Sequence, residues 1–231
     1  MPARALLIAY AVVGVANVAS EAVGPTTFTT VTKALLMPLL LAWLVVRMRQ
    51  SGSYDRALIW LAVGLVFAWF GDLLLSGDGD LFFMGGIAAF LVMQVCFIVA
   101  FTRVPGPGLV RAWKVAALPY VAFWVLMNVL VSGGVGDLRI PVLVYSAVLV
   151  TMALAGLDLV IRVPQRLGWR VAIGAGLFVA SDALIALTAF GPLSETNATS
   201  VVIMSTYILA QALIVTGFAD CITARRSAEA H

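Results

Sequence analysis

Long apolar runs alternate with short polar interruptions along the whole chain. Eight runs are long enough to cross a bilayer, which takes about 20 residues of helix. They are residues 5–20, 30–48, 57–75, 81–101, 113–131, 140–161, 168–190 and 200–218. Backbone polar groups in hydrocarbon must pair within their own segment, so each run is predicted to be a helix. The interruptions are too short to hold a soluble domain. The expected fold is all-α: one polytopic transmembrane domain of eight helices over residues 1–231. The first run, between Arg4 and the small residues Ala19 and Ser20, also resembles a signal peptide. Pairing of the helices works better if it stays in place.

Composition agrees with the pattern. The chain is 63% hydrophobic and 11% charged, which is far from a soluble domain and typical of a polytopic membrane protein. The net charge of +3 needs no nucleic acid to explain it. The basic residues fall in alternate loops: Arg4, then Arg47, Arg49 and Arg56, then Arg103, Arg111 and Lys114, then Arg162, Arg166 and Arg170, then Arg225 and Arg226. Such an excess marks the cytoplasmic face, so both termini are expected there, in the cell membrane if the protein is bacterial. Lys33 and Arg139 are the exceptions. The opposite loops carry Glu21, Asp78, Asp80, Asp137 and Glu195. The two cysteines, Cys96 and Cys221, do not suggest a disulfide framework. The single histidine is His231, which argues against a histidine-ligated metal or a Ser-His-Asp triad. No metal and no cofactor are expected.

A weak internal repeat runs through the chain. Shifted by 110 positions, Gly64 falls on Gly174, Asp72 on Asp182 and Leu74 on Leu184. The stretch from Gln94 to Phe101 resembles that from Gln211 to Phe218. Two four-helix halves of the same membrane orientation, about 1–105 and 106–231, are the expectation.

The candidate chemistry sits inside the apolar runs. Asp72 in Phe70-Gly71-Asp72-Leu73-Leu74-Leu75 and Asp182 in Ala180-Ser181-Asp182-Ala183-Leu184-Ile185 are carboxylates where hydrocarbon is expected. Ionisable residues there are costly and are usually functional. At a rise of 1.5 Å per residue, Lys33 and Asp72 lie roughly 5 Å from the non-cytoplasmic ends of their helices, and Asp182 roughly 13 Å. Tyr145, Tyr207 and Asn128 belong to the same half of the membrane, with Gln94 and Gln211 nearer the middle. Plainer roles compete with this. Lys33 can snorkel to the interface. Asp72 can face loop water, and Asp182 can pair structurally with Lys33. Gln94 and Gln211 can serve as interhelical hydrogen bonds, and the glycines of Gly85-Gly86 and Gly174-Ala175-Gly176 suit close helix packing. Asp158 and Asp220 read as interfacial, and Glu21 either joins the site or is solvated. Asn197-Ala198-Thr199 matches a glycosylation acceptor triplet that also arises often by chance.

Several stretches, in this order, resemble the YhhN family of membrane proteins, whose characterised members are lysoplasmalogenases. They are Thr32-Lys33-Ala34-Leu35-Leu36-Met37-Pro38, Phe70 to Leu75, and Gly85-Gly86-Ile87-Ala88-Ala89-Phe90 running on to Gln94. Further on come Pro141-Val142-Leu143-Val144-Tyr145, Gly174 to Asp182, and Tyr207-Ile208-Leu209-Ala210-Gln211. Ala34 stands where a proline is expected after the lysine, and a histidine usual near Gln94 is absent.

The resemblance implies hydrolysis of the vinyl-ether bond of a lysoplasmalogen to a fatty aldehyde and a glycerophospho-base. That chemistry needs a carboxylic acid to protonate carbon and a second carboxylate to steady the resulting cation and take a proton from water. Asp182 is expected to be the acid and Asp72 its partner. Lys33, Tyr145, Tyr207, Gln94, Gln211 and Asn128 are the expected substrate-binding residues, with Lys33 or Arg139 on the phosphate. The expected partner is a single-chain lysophospholipid reaching the site from the bilayer. A small-solute or proton-coupled transporter is the competing reading, since buried carboxylates and repeats also serve transport.

Overall fold

A computed structural model describes residues 3–52 and 54–229, and His231 lies outside them. The helices in chain order are α1 (Ala3–Val23), α2 (Thr27–Gln50), α3 (Arg56–Leu74), α4 (Asp80–Thr102), α5 (Leu109–Ala112), α6 (Leu118–Val131), α7 (Arg139–Asp158), α8 (Gln165–Ala189) and α9 (Asn197–Glu229). There is no strand among the described residues. All but the one-turn α5 are, with their flanking turns, long and apolar enough to cross a membrane, and they fall on the eight expected runs. The main difference is at the end of the chain. α9 continues past Phe218 because the next turns still bury apolar side chains, with Ala219, Cys221 and Ile222 in the core. Asp220, which interrupts that pattern, is matched by two arginines: Arg47 and Arg170 each donate to it at 3.0 Å.

Two tight helix pairs, α3 with α4 and α8 with α9, form the centre of the bundle. Glycines set their spacing. A Cβ on Gly64 would come within 2.6 Å of the Phe97 ring, and one on Gly174 within 2.9 Å of the Ala210 carbonyl oxygen. α4 also packs on α7, while α1 covers α2 and α9. Between these helices lies a core of interlocking aromatic rings, Phe97 on Phe101 and Phe101 on Phe218. α6 stands apart. It packs mainly on α7, and Val131 is its one fully buried residue.

Pro38 sits inside α2. It has no N–H, so the carbonyl of Ala34 one turn earlier loses its helical partner. Trp69 of α3 fills the gap, its indole Nε1 donating to the Ala34 oxygen at 2.9 Å. An unsatisfied buried carbonyl costs roughly 1–3 kcal/mol, so this bond offsets the proline and ties α2 to α3.

The arginine-rich end is held by partly exposed ion pairs. Besides Asp220, Asp158 accepts from Arg162 at 3.2 Å and from the Val110 amide at 2.8 Å. Asp55 caps α3 and accepts from Arg226 at 3.3 Å. Pairs of this exposure add little stability each. They fix where the loops lie.

Candidate functional site

Asp72 lies in the last turn of α3, yet it is only 2% exposed. The Tyr207 hydroxyl donates to its Oδ2 at 2.8 Å. Gly71 makes this possible. Without a Cβ there, the Phe90 ring lies directly on α3; an added Cβ would sit 2.7 Å from it. Phe90 in turn packs edge-on against Tyr207, with ring centroids 6.0 Å apart, and Phe178 closes the group at 5.9 Å from Tyr207. The hydroxyl is thereby aimed by apolar rings at a carboxylate that faces the core and not the loop.

α1 completes the cover over Asp72. Tyr10 donates to the Ile208 carbonyl at 2.8 Å and lies within electrostatic reach of both Asp72 and Tyr207. Asn17, fully buried, donates to the Thr29 carbonyl and to Thr32 Oγ1, each at 3.0 Å. Tyr10, Gly14 and Asn17 recur at helical spacing and form the buried face of α1. That i, i+4, i+7 pattern was available in the sequence, but an otherwise lipid-like run conceals it.

Asp182 sits mid-way along the C-terminal half of α8, and the Tyr145 hydroxyl of α7 donates to its Oδ2. Its partner is thus a tyrosine, not Lys33. Tyr207, bonded to Asp72, also lies within electrostatic reach of Asp182. Distance along the helix makes Asp182 the deeper residue, but accessibility reverses the order. Asp72 is sealed by α1 and α9, whereas Asp182 is half-buried and lines two small cavities.

Lys33 is half-buried on the wall of a polar vestibule of about 670 Å³, together with Glu21, Asp78 and Glu195. It lies within electrostatic reach of Asp72 and Glu21. Its ammonium therefore faces the polar vestibule and not the apolar core. Arg139 lines a different cavity, of about 320 Å³, beside Asn128. Asn128 itself donates to the Trp124 carbonyl at 2.8 Å and to Ser146 Oγ at 3.3 Å. It fastens α6 to α7 and does not join the acids.

Gln94 and Gln211 are both fully buried. Neither makes a side-chain hydrogen bond among the described residues, so they are not interhelical ties. The Gln94 amide approaches the Tyr145 hydroxyl without reaching hydrogen-bond geometry. Phe90 meets Tyr207 and Phe101 meets Phe218. Gln94 follows Phe90 by four residues and Gln211 follows Tyr207 by four, which places both amides in one layer beneath the acids. Among the small-residue runs, Gly174 and Gly86 are packing sites, while a Cβ on Gly176 would meet open space. Asn197 begins α9, donates to the Ala22 carbonyl at 3.3 Å and lines the vestibule.

Two carboxyl groups, each held by its own tyrosine, can pass a proton and steady a nearby positive charge. Apolar rings keep bulk water from one of them, and a cavity opens on the other. A family model described as the YhhN family matches residues 28–218. No curated protein and no solved structure matches.

Proposed function

The chain belongs to the YhhN family, and from that premise we propose that it is a membrane hydrolase that cleaves the vinyl-ether bond of lysoplasmalogens. The observation that carries this reading is the Tyr207 phenol, bonded to buried Asp72 and within reach of Asp182, which lines a cavity. Asp182 transfers a proton to the outer carbon of the C=C–O unit, giving an oxocarbenium ion. Water adds to the cationic carbon and gives up a proton, restoring the acid. The resulting hemiacetal collapses to a fatty aldehyde and a glycerophospho-base, such as glycerophosphoethanolamine or glycerophosphocholine. Tyr145 holds Oδ2 of Asp182, leaving the other oxygen to carry the proton. Asp72 and the Tyr207 hydroxyl supply fixed charge and dipole where positive charge develops, a placement that is worth most in a dry site. Lys33 holds the lipid phosphate at the vestibule wall.

The test is direct. Purified protein in nanodiscs is incubated with lysoplasmenylethanolamine, and aldehyde and glycerophosphoethanolamine are measured. Release of the two in equal amounts supports hydrolysis. Their absence under conditions where the protein remains folded ends this reading and leaves transport of a small solute as the one to pursue.

A further inference from the structure

Building on the hydrolase reading, we infer that the hydrocarbon chain of the lysolipid lies in an apolar slot between α6 and the α7–α8 pair, with Asp182 at the junction of slot and vestibule. Three cavities share walls in series. The polar vestibule includes Leu75, Phe83 and Ile185. The same three residues wall a cavity of about 50 Å³ at Asp182. That cavity in turn shares Tyr145, Asp182 and Ala186 with a third, of about 60 Å³.

Polarity changes along the series. The vestibule carries Lys33, Glu21 and Glu195. Past Asp182 the walls become Phe123, Met127, Leu149 and Val150. A single-chain amphiphile has the same order of parts: a charged head, then the ether, then the chain. Asp182 occupies the point of change, where the bond between head and chain must sit. Leu149 and Val150 lie four and five residues beyond Tyr145, about 6–7.5 Å further from the vestibule along α7.

The moving wall is α6. Both cavities at Asp182 are narrow, so a chain enters only if α6 yields, and the span containing α6 is the least buried of the eight. Val121, Val125, Leu126 and Val129 face outward from the bundle. The Trp124 indole, donating to Ser146 Oγ at 2.9 Å, fastens α6 to α7 close to Tyr145. The slot therefore opens to the bilayer below that bond, and chain atoms beyond it remain in lipid.

The test uses a non-cleavable probe, a saturated 1-O-alkyl lysophosphoethanolamine with a diazirine on its chain. Irradiation in nanodiscs should place most of the label on α6 and α7, and unlabelled alkyl lysolipid should compete it away. Ala183→Leu, which fills the slot, should weaken probe binding by at least ~10-fold, the scale of one or two methylenes in an apolar pocket. Phe123→Ala, which widens it, should strengthen binding of a chain-branched probe by a similar factor. Label spread evenly over α1, α2 and α9, or insensitive to competitor, overturns the slot. So does unchanged probe affinity in both variants. Labelling needs no turnover. Aldehyde release with label elsewhere sinks the slot alone, and label in the slot without aldehyde from the wild type sinks the hydrolase reading alone.

Discussion

The Tyr207 hydroxyl donates to Asp72 at 2.8 Å although the two residues are 135 positions apart. α9 thus reaches across the bundle to hold a carboxyl group on α3, and the buried layer is assembled from both ends of the chain.

Asp72→Asn and Asp182→Asn keep an acceptor for their tyrosines and should insert normally. Each should lower aldehyde release more than ~100-fold, the lower range for removal of acid–base catalysis. Acting as one unit, the double variant should be little worse than either single one. Near-full activity in Asp182→Asn contradicts the two-carboxyl mechanism.

Tyr207→Phe removes one hydroxyl and leaves the ring stack in place. Buried Asp72 then loses its phenol donor, at a cost of roughly 1–3 kcal/mol. Tyr145→Phe should cost less stability, because half-buried Asp182 can be reached by water. Thermal melting in detergent compares the two, and equal losses would count against the difference in burial.

Gly71→Ala drives a methyl group into the Phe90 ring, which is itself packed against Phe178 and Tyr207. Overpacking of this kind costs about 1–3 kcal/mol. Gly176→Ala meets open space and should be neutral or slightly stabilising through helix propensity. Turnover and melting temperature of the pair give an internally controlled measurement. Equal behaviour of the two alanines would refute the close approach at Gly71.

Gln94→Leu and Gln211→Leu replace buried amides that have no hydrogen-bond partner among the described residues. Their stability should be unchanged or higher, since no bond is broken. If the amides belong to the site, turnover should nevertheless fall by ~10-fold or more, a loss of about 1.4 kcal/mol in transition-state stabilisation. Wild-type turnover in both variants would assign them to packing.

Single cysteines replacing Asp78 and Glu195, in a background lacking Cys96 and Cys221, test sidedness. A membrane-impermeant thiol reagent should label both from the non-cytoplasmic side of sealed vesicles. Labelling only from the cytoplasmic side overturns the orientation drawn from the arginines.

The helices were legible because hydrocarbon leaves the backbone one way to satisfy itself, and the run lengths display it. The carboxylates were legible because charge is rare in such runs. What the sequence did not display is rotation of each helix about its axis. Tyr10 reads as one polar atom in an apolar run, yet it sits beside Asp72. Asn128 has the right height but lies on a helix that stands aside. Height along the helix does not give the order of burial of Asp72 and Asp182 for a related reason. Distance from a helix end measures depth along the membrane, whereas cover depends on which neighbours close over the side chain, here α1 and α9.

The indole bond from Trp69 to Ala34 has a further consequence. Ala34 adjoins Lys33, and Trp69 lies one turn from Asp72. A backbone oxygen vacated by Pro38 therefore acts as an alignment peg: it sets the register of α2 against α3, and with it the height of the ammonium relative to the carboxyl. The two side chains need no direct bond to keep that register, so the lysine can turn among the acids of the vestibule while the backbone heights of Lys33 and Asp72 stay matched.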